Sequence, residues 1–347
     1  MYFSRSVVII LLMVLSLAAH AQKAPKTREA KPKKERKKKE KKIPENIEAF
    51  NKSFLFKPKF ALPGVWFNVS SRLTGKGGNF TWKPAMPGIV GAAIKIKKVY
   101  ISGAILLPPS DSFKKKYGTT KSRDIYINIQ GRVVSWGLYY RDYKGFYLAD
   151  YKSNYTNWNF DSLGYPKSNN LRVIEGGVNL GFNFNKNFSM AAAFAQSERQ
   201  KKSAGSFLMS ISERYQHIET DSNIVPGSQA DFYPNLNRLK QGNFFSTILA
   251  FGAGYQIVMG KFHLTPVALI GSGIQVQSYT QHYNQGYRSR LWFNVPTYAN
   301  ARGQLGYNGD NFFANLIYQF EFNSIPIRES RIRLIRNSVE LGVGIRF

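Results

Sequence analysis

The last ten residues alternate between apolar and polar or small side chains, and this pattern constrains the fold more than any other feature. Val339, Leu341, Val343, Ile345 and Phe347 occupy one set of positions, and the intervening positions hold Ser, Glu, Gly and Arg. Successive side chains of a strand point to opposite faces, so a period of two indicates a β-strand with one apolar face. The sequence therefore predicts a strand that ends on an aromatic residue.

The same alternation recurs along the body of the chain. Clear runs lie at 172–184, 245–259, 290–305 and 311–322, and weaker ones at 65–72, 88–96, 98–107, 123–131, 133–141, 188–196 and 204–214. No segment after Ile43 approaches the roughly 18 consecutive apolar residues of a membrane helix. We therefore predict an all-β protein with about 12 long strands, within a range of 10–14.

Strands of this kind suit either a soluble β domain or a transmembrane β-barrel. The runs reach the roughly 9–11 residues that a tilted strand needs to cross a bilayer, whereas soluble strands average about 5–6. Aromatic residues gather near the strand ends, as membrane interfaces favour. Since lipid cannot satisfy backbone N–H and C=O groups, such a sheet has to close. We predict a transmembrane antiparallel β-barrel over 51–347, with an exported soluble β domain as the alternative.

The N-terminus has the features of an export signal. Arg5 precedes an apolar run over 7–17, and Ala19-His20-Ala21 supplies small residues around a cleavage site. We expect a signal peptide over 1–21, with cleavage after Ala21, and a mature protein in the bacterial outer membrane.

A basic segment follows the signal. Residues 23–42 hold 12 Lys and Arg against three acidic residues, and few are apolar. Such a block cannot bury a core, so we predict a disordered, Lys-rich periplasmic tether over 22–50. It would bind anionic lipid or an acidic periplasmic partner, or serve only as a solvated spacer. Nucleic acid is not an expected partner, because exported chains rarely meet it.

Motifs for chemistry are almost absent. The chain has no Cys and four His, which excludes disulfides, thiolate zinc sites and cysteine nucleophiles. Neither H-E-x-x-H nor G-x-S-x-G occurs. Tyr279-Thr280-Gln281-His282 would offer polar groups at a membrane edge, but no serine lies at a suitable spacing. We predict no catalytic residue, no metal and no cofactor, and a lipid-modifying hydrolase is kept as an alternative.

Charged residues on the polar strand faces would project into the barrel. These lumen-facing candidates are Glu175, Arg290, Arg302, Glu321, Glu340 and Arg346. They would form either a charged pore that selects solutes or a set of paired charges that braces a small lumen. A barrel of 12 strands lies between filled small barrels and open porins, so both alternatives stay open.

Loop lengths indicate which strand ends share a side. Asn308-Gly309 and the turn at 259–261 are tight, as periplasmic turns should be, which places 216–241 and 278–288 outside. Counting strands backward from there puts the long segment 144–169 in the periplasm, which conflicts with the expectation of short turns on that side.

A polar block joins two of the predicted strands. Residues 196–206 are denser in charge than a turn requires, so they form either a docking turn for a partner or lipid phosphate, or a solvated turn. The candidate docking residues are Glu198, Arg199, Gln200, Lys201, Lys202 and Ser203.

Residues 199–206 resemble the R-Q-x-K-S-A-G-S element of an uncharacterised family of Bacteroidota outer-membrane proteins, the domain of unknown function 4421. The stretch 143–147 and Phe188-Ser189 are similar to the family too, whereas Ala85 stands where the family usually has Asn. The resemblance covers roughly residues 60–347. It implies an outer-membrane barrel of unknown activity.

These observations together predict an integral outer-membrane protein with a non-enzymatic structural or accessory role. The alternatives are a narrow passive pore for small solutes, a barrel-type lipid hydrolase, and an assembly or secretion partner. The expected partners are outer-membrane lipid and the barrel assembly machinery, with Phe347 as the assembly signal.

Overall fold

The computed structural model describes residues 44–50, 52, 54–71, 78–155, 157–283, 286–328 and 330–347, and within 282–290 it describes the backbone alone. The predicted signal peptide with its cleavage residue Ala21, and the basic segment 23–42, lie outside the described residues.

Sixteen strands lie in this described part. They are β1 (Ile47–Ala49), β2 (Phe54–Ser71), β3 (Phe80–Pro84), β4 (Ile89–Ile96), β5 (Val99–Leu106), β6 (Lys121–Gln130), β7 (Val134–Leu148), β8 (Lys167–Asn183), β9 (Glu198–Gln200), β10 (Ala204–Glu219), β11 (Leu239–Met259), β12 (Phe262–Tyr283), β13 (Gly286–Asn294), β14 (Thr297–Asn308), β15 (Phe312–Ile327) and β16 (Ser330–Arg346). The helices are short: α1 (Asp111–Tyr117), α2 (Phe160–Leu163), α3 (Met190–Ala195) and α4 (Pro234–Asn237), with 3₁₀ turns at Tyr151–Ser153 and Gly227–Phe232.

Twelve of these strands form a closed antiparallel barrel, which confirms the predicted fold. Their order is β2, β4, β5, β6, β7, β8, β10, β11, β12, β14, β15 and β16, and β16 returns to pair with β2. The backbone of Phe347 pairs with that of Phe54, its amide N–H donating to the Phe54 carbonyl at 3.0 Å. The first and last barrel strands therefore pair with each other and close the cylinder.

Apolar side chains cover the outside of this barrel. The outward residues Val339 and Leu341 of β16 are 43% and 53% exposed and Phe347, which follows the strand, is 63% exposed, whereas the inward Ile332 and Leu334 are buried. Exposed Ile, Leu, Phe and Val residues continue around most of the barrel strands. Water would penalise so large an apolar surface, and hydrocarbon would not, so the fold is that of a transmembrane barrel. In the described residues no helix is both long and apolar enough to cross a membrane.

The predicted strand at 188–196 is wrong, because Met190–Ala195 form helix α3. The run of alanines favours a helix, and the Ser189 hydroxyl caps it by accepting the amide N–H of Ala192 at 3.1 Å. Without this strand, the backward count no longer places the long segment 144–169 at the same end of the barrel as the tight turns. Its loop, 149–166, lies at the same end of the barrel as loop 220–238.

We call this end the loop end, and the opposite end, which carries Phe54 and Phe347, the terminal end.

Strand β3 bridges the loop end above three short strands. It pairs with β2 on one side and with β7 on the other, while β4, β5 and β6 end below it. Strand β7 changes partner from β6 to β3 at a bulge between Lys144 and Phe146. Gly145 occupies that bulge with φ +96°, and a Cβ there would lie 2.3 Å from the Thr119 carbonyl oxygen. Only glycine suits this conformation and this close approach.

Candidate functional site

The lumen at the loop end is filled by an apolar layer. Strands and loop 220–238 contribute buried side chains to it, among them Phe67, Phe80, Tyr233 and Leu236. Two polar groups of this layer are satisfied by backbone: Trp82 Nε1 donates to the Ile224 carbonyl at 2.8 Å, and the Tyr233 hydroxyl donates to the Gly78 carbonyl at 2.7 Å. Loop 220–238 therefore packs into the barrel mouth and covers it.

Below this layer, six charged side chains cross the lumen, and we call them the charged belt. Its members are Asp124, Arg141, Glu175, Arg214, Glu321 and Arg336. Glu321 accepts from Arg214 Nη1 at 2.5 Å and from Arg141 Nη1 at 3.1 Å.

Glu175 is the second anionic centre of the belt. It pairs with Arg336 and lies 3.6 Å from Arg141 Nη1. The Arg141 guanidinium also stacks on Tyr139, 4.6 Å from the ring centroid. With three cations and three carboxylates, the charged belt is neutral, so its members compensate one another rather than leaving a free charge along a pore.

A second polar group lies closer to the terminal end, and we call it the basic group: Lys57, Lys59, Arg302 and Glu340. Lys57 Nζ pairs with Glu340 Oε1 at 2.6 Å, and Lys59 Nζ lies 3.5 Å from Glu340 Oε2. Arg302 Nη2 donates to Gln304 Oε1 at 2.8 Å, and its guanidinium lies 5.2 Å from the Phe194 ring centroid. This group has an excess of positive charge.

A cavity of about 410 Å³ separates the basic group from the charged belt. Both groups line it, together with tyrosine hydroxyls and small polar side chains such as Ser102, Asn300 and Ser338. Met190 and Phe194 of α3 form its floor. A volume of this size falls within the range of roughly 300–1,000 Å³ that is usual for small-molecule sites.

The segment 184–203, which we call the plug, closes the terminal end. It contains α3 and β9, and β9 pairs with β1. Strand β1 belongs to residues 44–50, which we call the strap. The sequence assigns these residues to the disordered tether, 22–50, so that predicted boundary is wrong: Ile47 is buried and pairs with Gln200.

Two arginines attach the plug to the barrel wall. Arg346 donates from Nε to the Gln196 carbonyl at 2.9 Å and from Nη1 to the Gly309 carbonyl at 2.7 Å. Arg199 binds Glu48 of the strap at 2.8 Å and Asp310 of the β14–β15 turn at 2.7 Å. The hydrogen bond from Arg199, followed by one from Lys261, holds the pKa of Asp310 below its ordinary value.

The predicted lumen-facing residues fall into three places. Glu175 and Glu321 lie in the charged belt, Arg302 and Glu340 in the basic group, and Arg346 beneath the plug. The side chain of Arg290 lies outside the described residues; its backbone pairs opposite Tyr279.

Six further charges in the lumen were not predicted from the sequence: Lys57, Lys59, Asp124, Arg141, Arg214 and Arg336. The same alternation could have revealed them. Lys57 and Lys59 alternate with Phe56 and Phe60, which point outward.

The candidate docking residues divide between two environments. Glu198, Arg199 and Gln200 form β9 and are bound within the plug, where Glu198 accepts from Arg132 Nε at 2.9 Å. Lys201, Lys202 and Ser203 are exposed. Docking stays a prediction for this exposed half.

The motif considered for lipid hydrolysis is not open to a membrane edge. Tyr279 and Gln281 are buried, and Gln281 Nε2 donates to the Asn235 carbonyl at 2.7 Å. The side chain of His282 lies outside the described residues. His217 contacts Asn243 and Glu219. Among the described residues, no cluster of three His, Asp or Glu could hold a metal ion.

Comparisons with known proteins identify a family but no activity. A family model described as a domain of unknown function (DUF4421) matches residues 47–347. No curated protein matches the sequence.

Several solved outer-membrane barrels are similar in structure. The outer membrane protease OmpT from Escherichia coli has 7% identity, with 86% of this chain and 98% of that chain covered and a TM-score of 0.42. The P. putida toluene transporter TodX has 8% identity, with 85% of this chain and 90% of that chain covered and a TM-score of 0.27. The Yersinia pestis attachment invasion locus protein Ail has 13% identity, with 63% of this chain and 99% of that chain covered and a TM-score of 0.23. Similarity this low transfers no function.

Proposed function

The chain belongs to the family defined by the domain of unknown function DUF4421, and we propose that it is an outer-membrane β-barrel, closed to solutes, with a non-enzymatic structural or accessory role. One observation carries the proposal: the lumen is occupied at three successive levels. The apolar layer covers the loop end, the charged belt crosses the middle, and the plug covers the terminal end.

Each level would oppose the passage of an ion or solute. An apolar layer excludes water and charge, because moving an ion into it has a large desolvation cost. The neutral charged belt presents paired charges, so it lacks the free field with which pores attract ions. The plug is held by buried hydrogen bonds from Arg346. We therefore disfavour the passive pore.

Placement in the outer membrane is supported by the apolar exterior and by barrel closure. The terminal end has tight turns at 260–261 and 309–311. Because the periplasmic turns of such barrels are short, we infer that this end faces the periplasm. The lipid partner is the hydrocarbon that contacts outward residues such as Leu341 and Ile345.

Single-channel recording in planar bilayers tests the proposal. The refolded protein, inserted beside an open porin as a positive control, should give no conductance steps. It should migrate differently on gels before and after boiling, because a closed hydrogen-bonded barrel resists detergent until heated. Steady conductance from a heat-modifiable sample would overturn the closed barrel in favour of a pore.

A second candidate is an assembly or secretion partner that is bound from the periplasm. It is favoured by the exposed Lys201 and Lys202, which adjoin the strap, the segment that follows the basic residues 23–42 in the sequence. Pull-down with the full mature chain and with a chain lacking 23–42 tests this candidate. Identical sets of captured proteins would exclude a role for the basic segment.

A further inference from the structure

The basic group carries more positive charge than the residues around it compensate. Lys57 and Lys59 both pair with Glu340, and Arg302 lines the same cavity, so the group has three cations and one carboxylate. The charged belt on the other side of the cavity adds no net negative charge, because its three carboxylates are matched in number by its three arginines. About two positive charges are therefore left over at one end of the cavity.

Arg302 is the centre of this excess. It has no ion-pair partner within the described part of the chain, and its Nε atom is buried without a hydrogen-bond acceptor there. Its Nη2 atom donates a hydrogen bond to the neutral side chain of Gln304. A partly buried guanidinium in this state is costly unless an anion compensates it.

We propose that the cavity binds a small tetrahedral oxyanion with two negative charges, namely inorganic phosphate or sulfate or the phosphate group of a small solute. Arg302 and Lys59 would donate charge-assisted hydrogen bonds to its oxygens, and Ser102 and Asn300 line the same space as neutral donors. The cavity of about 410 Å³ leaves room for a solute larger than the anion itself. This inference goes beyond the proposed function, since a closed barrel can hold an anion whether or not it conducts.

The charge distribution selects this ligand class over others. A cation would meet the uncompensated Arg302 and be repelled, and an apolar ligand would leave the excess charge in place. A dianion brings the basic group to neutrality, as the charged belt already is.

Equilibrium dialysis of the full mature protein with radiolabelled inorganic phosphate tests the proposal. The anion is added during refolding, so that it can reach the cavity before the plug docks, and ionic strength is kept constant with chloride. We expect saturable binding of one phosphate per chain, competition by sulfate, and none by an equal concentration of chloride. Absence of saturable binding by the heat-modifiable protein would overturn the proposal.

Two substitutions that should change the phosphate affinity in opposite directions distinguish an effect on binding from a general effect on folding. Arg302→Gln should weaken phosphate binding by about tenfold or more, because one charge-assisted contact is lost. Glu340→Gln should strengthen binding, because the excess charge rises. Arg123→Gln removes an equal charge at an exposed position on β6 and should leave affinity unchanged.

The direction of these effects decides the outcome. The site at the basic group is contradicted if Arg302→Gln and Glu340→Gln change the phosphate affinity in the same direction. It is also contradicted if Arg123→Gln changes this affinity as much as Arg302→Gln does. Lys59→Gln replaces Arg302→Gln if the latter does not acquire heat-modifiable migration.

Discussion

Replacing Arg346 with Met should loosen the plug while leaving the barrel closed. Arg346 joins three parts of the terminal end: it donates to Gln196 in the plug and to the Gly309 carbonyl in the β14–β15 turn, and its guanidinium lies 4.1 Å from the ring centroid of Phe50 in the strap. Met keeps much of the volume and contributes none of these polar contacts. The plug would then keep its contacts through Arg199, through the Arg132–Glu198 pair and through the Asn308 amide.

The size of the effect follows from the contacts that join Arg346 to the plug and strap. A hydrogen bond to a charged group contributes about 1.5–3 kcal/mol, and a cation–π contact about 0.5–1 kcal/mol or more. Taking the low ends, the docked plug loses about 2 kcal/mol, which raises the population of the undocked state about 30-fold. The bond to Gly309 is left out, because it lies within the wall.

Cysteine labelling measures this population, since the natural chain has no Cys. Ser338→Cys places a single thiol on the cavity wall, and Ser112→Cys places one on the exposed surface of α1. A water-soluble thiol reagent should label the cavity thiol far more slowly than the surface thiol. Adding Arg346→Met should raise the rate at the cavity thiol about 30-fold.

Arg333→Met is the matched control, because it makes the same replacement at the loop end of the same strand. It should leave labelling of the cavity thiol unchanged. The reasoning is refuted if Arg346→Met labels at the rate of the parent, or if the control accelerates labelling as much, while all variants remain heat-modifiable.

Three further predictions concern the charged belt, the turn and the chain end. Glu321→Gln should lower the stability of the barrel by about 3–5 kcal/mol, since it leaves the buried Arg214 without its carboxylate partner; an unchanged urea midpoint would contradict this. Because the pKa of Asp310 is lowered in the folded protein, its ion pairs stabilise the docked plug fully at a pH above the ordinary pKa of 3.8. This stabilisation is lost as the pH falls through the lowered pKa. Hydrogen-exchange protection of the plug should therefore fall in acid, and Asp310→Asn, which still permits weaker bonding from Arg199, should show low protection at every pH; parallel profiles would argue against it. Deleting Phe347 removes the closing backbone pair with β2 and should reduce the heat-modifiable fraction, and a normal fraction would show that this residue is dispensable.

Local periodicity was enough to predict much of the fold. The alternation in 338–347 predicted which residues of β16 face outward, and the strand length predicted a membrane rather than a soluble core. Glu175, Glu321 and Glu340 could be assigned to the polar face by the same rule. The rule misled at 188–196, because an alanine-rich segment that packs inside a barrel is apolar on alternate positions without being a strand. It also took the strap for part of a solvated tether, since three residues of β1 are too few to show a period.

The one-dimensional order of apolar and polar residues therefore determined the all-β class, the closed barrel and its lipid-facing side. Only the tertiary structure decided what fills the lumen. Arg141 and Glu321 are 180 positions apart, and no periodicity relates them; they meet because strand register and barrel closure bring β7 and β15 across the same lumen. The neutrality of the charged belt and the excess charge of the basic group are sums over distant strands, which exist as physical quantities only once the cylinder has closed.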